Sequence, residues 1–482
     1  MSRLQCLTSF STALALLIIC ASSQGEDWSQ FRGLNASGVS TESTNLPVEF
    51  SIDDKVLWSV ELGEGIACPI VVNDRAYTTA MSADETFSVF CFNGSTGEKI
   101  WQRDFETGPL PAIMLPNKPA SSTPVCDGEN VYVYFSTLGM FALSAESGED
   151  VWELPVQMPY YLMGWGAAHS PIVHGDLVIF NQDDDLAPFL MAVDKHTGSP
   201  VWRTERPDML AGYAVPVICE VNGRTEVIVA GTGKLKGYDI TNGKELWTCN
   251  TLLRTIMTTP VVQGEHVYVS VQSYGDTNRV LKYALLEWKD TNQDEKLEKS
   301  ELEEAFWEKF DKGDTDKDGF LVDAEIDAAF QSPENMAGGG NIIQKIKAGG
   351  AGDVTKTHVV WNLDNTAPSN IASPLVVNDM IFLVKKGGIA ASFGLEEGNP
   401  IWKRMRLKNL GHYYASPVAG DGKIYVQGEN GYLVVLDQEG KGEVLAKNFM
   451  GDSCVATPAI ANNRIYVRTL TKLLCFSNEA AQ

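Results

Sequence analysis

Two stretches of this chain set oxygen-bearing residues at the spacing that wraps a hard divalent cation. In DTDKDGFLVDAE, residues 314–325, the carboxylates of Asp314, Asp316 and Asp318 are followed by the Phe320 carbonyl and the Glu325 carboxylate. These are loop positions 1, 3, 5, 7 and 12, from which a calcium ion takes its oxygen ligands. Gly319 stands at position 6, where the chain must turn sharply, and Leu321 is the apolar residue at position 8. DTNQDEKLEKSE, residues 290–301, repeats the pattern with Asp290, Asn292, Asp294, the Lys296 carbonyl, Glu298 and Glu301. Its Glu295 sits where glycine is preferred, a strained turn for a residue with a side chain. Ca2+ is the expected ligand of both loops, in a structural role. Each ion would neutralise a cluster of carboxylates and stiffen the segment by binding only its folded form.

Both loops read as EF-hands. The spacing of Leu302, Ala305, Phe306 and Phe310 predicts one helix over 302–313 that leaves the first loop and enters the second. NRVLKYALLEWKD, 278–290, is expected as the entering helix and VDAEIDAAFQ, 322–331, as the leaving one. NIIQKIK, 341–347, then reads as the strand that resumes the surrounding structure.

The remaining residues with chemical potential are scattered. Trp165, His169, Arg254, Lys385, His412 and Tyr414, with Tyr413, lie in or beside connections such as QMPYYLMGWGAAHS and RLKNLGHYYAS. Connections this long are commonly functional, so these residues are the candidate rim of a ligand funnel, with His169 expected to face the channel. Plain packing of the funnel top would use the same side chains. Asp183, Asp184 and Asp185 in NQDDDLAPF read as a solvated strand connection. The chain has no nucleophile elbow, Gly-rich phosphate loop or zinc-ligand spacing, and no catalytic residue is assigned.

What must position these groups is a repeat. A small residue, valine or cysteine, then proline, then apolar residues recur at Pro69, Pro124, Pro171, Pro216, Pro260, Pro374, Pro417 and Pro458. A β-branched strand, another strand and a Gly-bearing turn follow, ending in Trp58, Trp101, Trp152, Trp202, Trp247, Trp361 and Trp402, with Leu445 in the eighth place. Four short strands in roughly 45 residues make a propeller blade. Proline can open a strand because it forfeits only a terminal ladder bond. Small residues suit the crowded innermost strand, and tryptophan packs between blades. KVLWSVEL near the N-terminus lacks three preceding strands, and VATPAIANNRIYVRTLTKLLCFS at the C-terminus lacks a fourth. Together they complete one blade and leave no open edge.

The expected fold class is all-β: an eight-bladed β-propeller with a small α-helical EF-hand insertion. A seven-bladed ring with a stray repeat is the alternative. Pro260 and Pro374 are 114 residues apart, against 41 to 55 between the other neighbours, so roughly 60 residues are inserted. The insertion falls between the second and third strands of its blade, on the face that carries the inter-blade connections. The chain divides into a signal peptide 1–23, an N-terminal arm 24–52, propeller 53–275, insertion 276–338 and propeller 339–479.

AVDKHTGSPVW and its siblings resemble the repeat of quinoprotein-type propellers, a group that includes pyrroloquinoline quinone (PQQ) dehydrogenases and BamB, an outer-membrane assembly lipoprotein. DWSQFRGLNASGVS and AGGAGDVTKTHVVW resemble exported propellers of the same group. The resemblance covers the mature chain apart from the insertion and is specific for fold rather than activity. For a PQQ dehydrogenase it implies a vicinal cysteine pair against the cofactor, calcium beside the quinone and an aspartate base. No Cys-Cys pair exists here, so PQQ is disfavoured as a cofactor.

Arg3, the apolar run from Ala13 to Ala21 and the small residues after it read as a secretory signal, with cleavage after Ser23. A lipid anchor at Cys20 would place Ile19 where such sites want a small residue, and is disfavoured. The run is too short to span a bilayer and no second one exists. The net charge of −24 repels nucleic acid and anionic lipid. The seven mature cysteines lie mostly in apolar runs, as buried thiols do. The sequence therefore predicts an exported, calcium-binding propeller that acts as a binding or scaffolding module, with a protein or small-molecule ligand on the loop face. The alternatives are a PQQ-dependent dehydrogenase of alcohols or sugars and a BamB-like envelope assembly factor.

Overall fold

The computed structural model describes residues 26–479 except 83–84, 162–163, 210, 251–256, 274–288, 293, 295, 323, 331–339, 365–370, 386–387, 408–410 and 440–441. The expected signal segment, Arg254, most of 278–290 and the glycines before 340 therefore lie outside the described residues.

Eight antiparallel sheets close a ring. The first blade contains Ile70–Val72, Arg75–Met81, Phe87–Asn93 and Lys99–Phe105, paired in that order from the axis outward. Blades two to seven span 125–154, 172–205, 217–250, 261–364, 375–406 and 418–449. The eighth joins Ala459–Ala461, Arg464–Arg468 and Lys472–Phe476 to Val56–Glu61, with Trp58 opposite Cys475. Closure by one N-terminal and three C-terminal strands is the arrangement the repeat predicts, and it excludes the seven-bladed alternative. All seven described cysteines are buried free thiols.

Around the axis, seven of the eight residues before a strand-opening proline hand their N–H to the next blade. Cys68 donates to Thr123 Oγ1 at 3.1 Å and Thr123 to Ser170 Oγ at 3.0 Å. Val215 donates to Thr259 Oγ1 at 3.1 Å, Thr259 to Ser373 Oγ at 3.0 Å and Ser373 to Ser416 Oγ at 2.9 Å. Ser416 donates to Thr457 Oγ1 at 2.9 Å, and Thr457 to Cys68 Sγ at 3.2 Å, which closes the circle. Proline confines the residue before it to extended backbone, which holds each of these N–H groups in the same orientation. The circuit is interrupted once, where Ser170 meets Val215, a side chain with no hydroxyl.

At the outer rim the tryptophans join neighbours. The indole N–H of Trp58 donates to Gly94 O at 3.0 Å, Trp101 to Ala145 O at 3.1 Å and Trp152 to Lys195 O at 2.8 Å. Trp202 reaches Ile240 O at 2.8 Å and Trp361 reaches Leu395 O at 3.0 Å. The turn glycine of the next blade lies flat against each indole. Gly148 has φ +75°, and a Cβ there would stand 2.7 Å from Trp101. At the eighth joint the register puts Ala446, opposite Val435, in the place the other blades give to tryptophan, and not Leu445 as the sequence suggests, because the fourth strand is bulged one residue earlier, at Leu445 itself; the N-terminal arm covers that joint with Phe50, whose ring lies 4.8 Å from Phe476.

The arm crosses the far end of the channel. Trp28 exchanges backbone hydrogen bonds with Val71 at 2.7 and 2.9 Å. Asn35 brackets Ile218 with its side-chain amide at 2.8 and 2.7 Å. Ser40 N–H meets Ala419 O at 2.8 Å. The channel is thereby a cup rather than a pore.

The segment inserted in blade five lies between strands His266–Ser273 and Gly340–Lys347, as its spacing predicts. The single helix expected over 302–313 is not formed. Leu302 is extended (φ −109°, ψ 144°) between two 3₁₀ turns, Lys299–Glu301 and Glu304–Phe306, and the α-helix runs only from Trp307–Gly313. A second short helix is Ala324–Phe330. Leu302, Phe306 and Phe310 are buried with Leu297, Leu321 and Ile326, whereas Ala305 faces solvent. No helix among the described residues is long and apolar enough to cross a membrane.

If the glycine–indole contact sets the turn, Gly148→Ala meets both a left-handed backbone and an occupied Cβ position. Gly175→Ala has φ +57° but nothing within 4 Å, so it carries only the backbone penalty of about 1 kcal/mol. Chemical denaturation should show Gly148→Ala the more destabilised of the two by at least ~1 kcal/mol; equal losses would show that the indole gives way.

Candidate functional site

The cup encloses a cavity of about 470 Å³ on the inter-blade loop face, within the range of small-molecule sites. Its wall is the hydroxyl ring with Cys68 and Val215, topped by side chains from the connections: Met114 to Asn117, Trp165, Tyr213, Met257 and Tyr414. Phe31 of the arm forms part of the floor. No Asp, Glu, His, Lys or Arg lines the cavity among the described residues. Met114 and Leu115, which line the cavity, and Met158 in the next connection remain 56%, 76% and 50% exposed.

The residues expected at the funnel separate. Trp165 and Tyr414 line the cavity. His412 sits outside it, its ring tilted against Tyr414 at 5.9 Å. Lys385 ends the second strand of blade six, and Tyr413 is buried with its hydroxyl on Leu407 O at 3.1 Å. Arg254 lies outside the described residues.

His169 does not face the channel. Its ring is buried, Nδ1 lies 3.1 Å from the Tyr161 hydroxyl and Nε2 lies 2.8 Å from Gly212 O in the connection leading to blade four. The ring stacks on Tyr213 at 6.1 Å. This is the joint where the hydroxyl circuit fails between Ser170 and Val215. A neutral imidazole with Nε2–H donating to Gly212 O restores a hydrogen bond between the two blades one residue away. Burial lowers the His169 pKa to about 4, which keeps that tautomer neutral.

The acidic stretch beside it is buried, not solvated. Asp183 is fully enclosed, accepts from Asn181 Nδ2 at 2.8 Å and pairs with buried Arg206 at 3.3 Å. Burial pushes its carboxyl up to about 6 against the pull of Arg206. Asp184 accepts the Tyr160 N–H at 2.9 Å and the Ala187 N–H at 2.8 Å, caging the turn. A run of three carboxylates looks like a surface loop in sequence; here backbone donors hold Asp184 and an arginine pairs with Asp183.

Tyr160 and Leu186 carry the inserted segment. Both pack against its apolar core, and the Tyr160 ring meets Phe306 edge-on at 4.6 Å. Lys289 Nζ contacts the Tyr160 hydroxyl at 3.2 Å and pairs with Glu303. The Lys309 charge faces Asp184 and Asp185. The insertion of blade five thus sits over blade three, beside the cup.

Within the insertion the two acidic loops are joined as a pair. Leu297 and Glu298 ladder with Leu321 and Phe320. One oxygen each of Asp314, Asp316 and Glu325 lies within 4.8 Å of the others. The Thr315 N–H donates to Glu325 Oε1 at 3.0 Å, while Glu325 Oε2 is buried without a hydrogen-bond partner. Gly319 has φ +88°. Phe320 and Asp318 continue the loop, with the Asp318 N–H on Asp314 Oδ1 at 3.1 Å. The first loop has the same wiring: the Thr291 N–H donates to Glu301 Oε1 at 2.9 Å and the Asp294 N–H to Asp290 Oδ1 at 3.2 Å. Asn292, Lys296 and Glu298 follow in turn, and Glu295 lies outside the described residues. The donor set is all oxygen, the kind a hard cation takes.

These features define a quinoprotein-type eight-bladed propeller whose channel is closed by its own N-terminal arm. The family described as outer membrane protein assembly factor BamB matches residues 49–163, 162–314 and 388–481, and the chain belongs to it. BamB of Shewanella oneidensis is 22% identical over 446 residues, covering 88% of this chain and 96% of that protein. The quinoprotein alcohol dehydrogenase PedH of Pseudomonas putida is 29% identical over 153 residues, but these are only 29% of this chain and 22% of that enzyme. Among solved structures, BamB from Moraxella catarrhalis superposes with TM-score 0.54 at 14% identity, covering 87% of this chain and 99% of its own. At that identity the likeness concerns the fold.

The buried joint makes a pH prediction. His169 titrates at 6.5 when exposed and about 4 in the fold, so its contribution is intact above pH 6.5 and is lost as pH falls toward 4. That is about 3 kcal/mol at most. Asp183, raised to about 6, acts oppositely and gains on acidification. Denaturation from pH 7 to 4 should therefore show His169→Gln less acid-sensitive than the wild type. Parallel pH profiles would refute the assignment.

Proposed function

We propose that this propeller is an exported binding module of the envelope, acting in outer-membrane protein assembly as the family description implies, and that it presents its loop face to a protein partner. The observation that carries this reading is the exposed apolar pair Met114 and Leu115 at a cavity whose described lining has no Asp, Glu, His, Lys or Arg, with exposed Met158 in the next connection. Exposed apolar residues grouped at one mouth suit association, and such a lining does not suit proton-transfer chemistry. The residues present do not fit PQQ. Cys68 is the single cysteine of the cavity, its thiol pushed up by burial, and Asp183 is held by Arg206 behind the wall.

The insertion is a calcium-binding EF-hand pair in this reading. Support comes from the paired loops, the left-handed Gly319 and the unpartnered Glu325 Oε2 beside Asp314 and Asp316. Calcium would fix the module on blade three at the edge of the partner face. Affinity near ~10⁻⁴ M suffices outside the cytosol. Cys20, the residue a lipid anchor would use, lies outside the described residues.

Two experiments test this. Calorimetric titration with calcium should give two binding events in the wild type and one in Glu325→Gln, and unchanged stoichiometry would remove the metal assignment. A photocrosslinking residue at Leu115 or Met158, in the native cell, should capture an envelope protein. The same residue at Leu34, 78% exposed on the arm face, should not. Equal capture on both faces would count against the loop face.

A further inference from the structure

The cup has a second ring, on the loop side of the hydroxyls. Extended backbone places alternate side chains on one face, so the residue three before each proline shares the channel face with the ring residue one before it. Blades one, five, six and eight put Ile66, Met257, Ile371 and Val455 at that position, and blades four and seven put Tyr213 and Tyr414 there. All six line the cavity and are half-buried, whereas the hydroxyl ring is buried. At blades two and three the position is small, Ser121 and Ala168, and the connections leading to it add Met114, Leu115 and Trp165 to the same wall.

This wall is held from outside the cup. Asn117 Nδ2 donates to Trp165 O at 2.6 Å and to Ala167 O at 3.2 Å, and the Met114 N–H donates to Gly164 O at 2.8 Å, which ties the two connections together. The Tyr213 ring stacks on Tyr161 at 5.3 Å and on His169 at 6.1 Å. The lower ring, in turn, spends its oxygens on its own backbone: six hydroxyls and the Cys68 sulfur each accept an N–H from the neighbouring blade. No Asp, Glu, His, Lys or Arg stands in the described lining. A charged group brought into the cup would lose its water and meet no counter-charge on the wall. An aromatic body would meet tyrosine, tryptophan and phenylalanine faces, with methionine chains that adapt to its outline.

We propose that the cup is a binding site for a small, uncharged aromatic molecule, its body enclosed by the upper ring and resting toward Phe31 on the floor. The cavity, about 470 Å³, is of the size that takes such a molecule whole, and the arm closes the far end so that the molecule enters and leaves by the loop face. The site needs neither calcium nor a protein partner, so the reading of the loop face as a partner surface can fail without affecting it.

The test is a fluorescence titration of the full chain with N-phenyl-1-naphthylamine, an uncharged probe that brightens in apolar surroundings, beside 8-anilino-1-naphthalenesulfonate, the same body carrying a sulfonate. The uncharged probe should saturate at one per chain, with the sulfonate bound at least tenfold more weakly. Ala168→Tyr and Val455→Tyr each fill the cup with a side chain that the same ring position already carries in blades four and seven. Either variant should weaken the uncharged probe at least tenfold, and one that folds is enough to read the result. No saturable binding to the wild type, equal affinity for the sulfonate, or an affinity unchanged in a filled variant overturns the proposal.

Discussion

A closed ring of sheets depends on every blade meeting its neighbour at the same height. Here that height is set at the axis by one repeated hydrogen bond, from the N–H before a proline to the hydroxyl before the next. Proline contributes twice. It has no N–H of its own to satisfy at the crowded centre, and it fixes the preceding residue in extended backbone. Serine and threonine contribute the acceptor with the smallest possible volume. Because the links run round the axis and break only between Ser170 and Val215, a blade other than the third and fourth cannot slide along the axis without breaking two of them. The outer tryptophans then resist splaying, since the indoles of Trp58, Trp101, Trp152, Trp202 and Trp361 are each clamped between a backbone carbonyl and a glycine that admits no side chain.

Two of the exceptions to this scheme are met by residues from elsewhere in the chain. Val215 cannot accept from Ser170, and at that joint alone the residue before the ring position is a histidine. His169 reaches Gly212 instead, and the buried Asp183–Arg206 pair and the stacked Tyr161 and Tyr213 fill the space around it. A neutral, buried histidine with both nitrogens occupied is a joint, not a base. Ala446, in the tryptophan place of blade seven, cannot supply an indole, and the arm brings Phe50 to that joint. The arm is thus as much a closing element as the C-terminal strands are.

The sequence made the ring legible because its constraints are local: proline, a small hydroxyl, a turn glycine and a tryptophan recur at fixed offsets. The place of the insertion was legible from spacing alone, since Pro260 and Pro374 stand farther apart than any other neighbouring pair. What it could not show depends on contacts between distant residues. Asp183, Asp184 and Asp185 read as solvated because nothing near them in the chain announces Arg206 or the Tyr160 N–H. The break at Leu302 was hidden by a helical apolar spacing that two 3₁₀ turns satisfy equally well. The cup itself was missed. Trp165 and Tyr414 were identifiable as aromatic loop residues, but Phe31 belongs to an arm whose path under the channel leaves no local pattern. The hydroxyls at the proline positions were visible all along as small residues, and their six recurrences could have been read as acceptors.

The same wiring explains where the insertion is tolerated. The axial links use the start of each first strand, and the rim contacts use the fourth strand and the turn before it. The connection between second and third strands takes part in neither, so blade five can host a folded segment there and keep Thr259 in the circuit. Its rim contact is nevertheless altered. Trp247 finds no ordinary turn on blade five and donates to the buried Glu226 carboxylate at 2.7 Å, under a loop whose Gly352–Asp353 ladders alongside it. A host blade that keeps its axial bond but rebuilds its outer contact places the burden of the insertion at the periphery. The axis, with its ring, is left as the invariant part of the molecule.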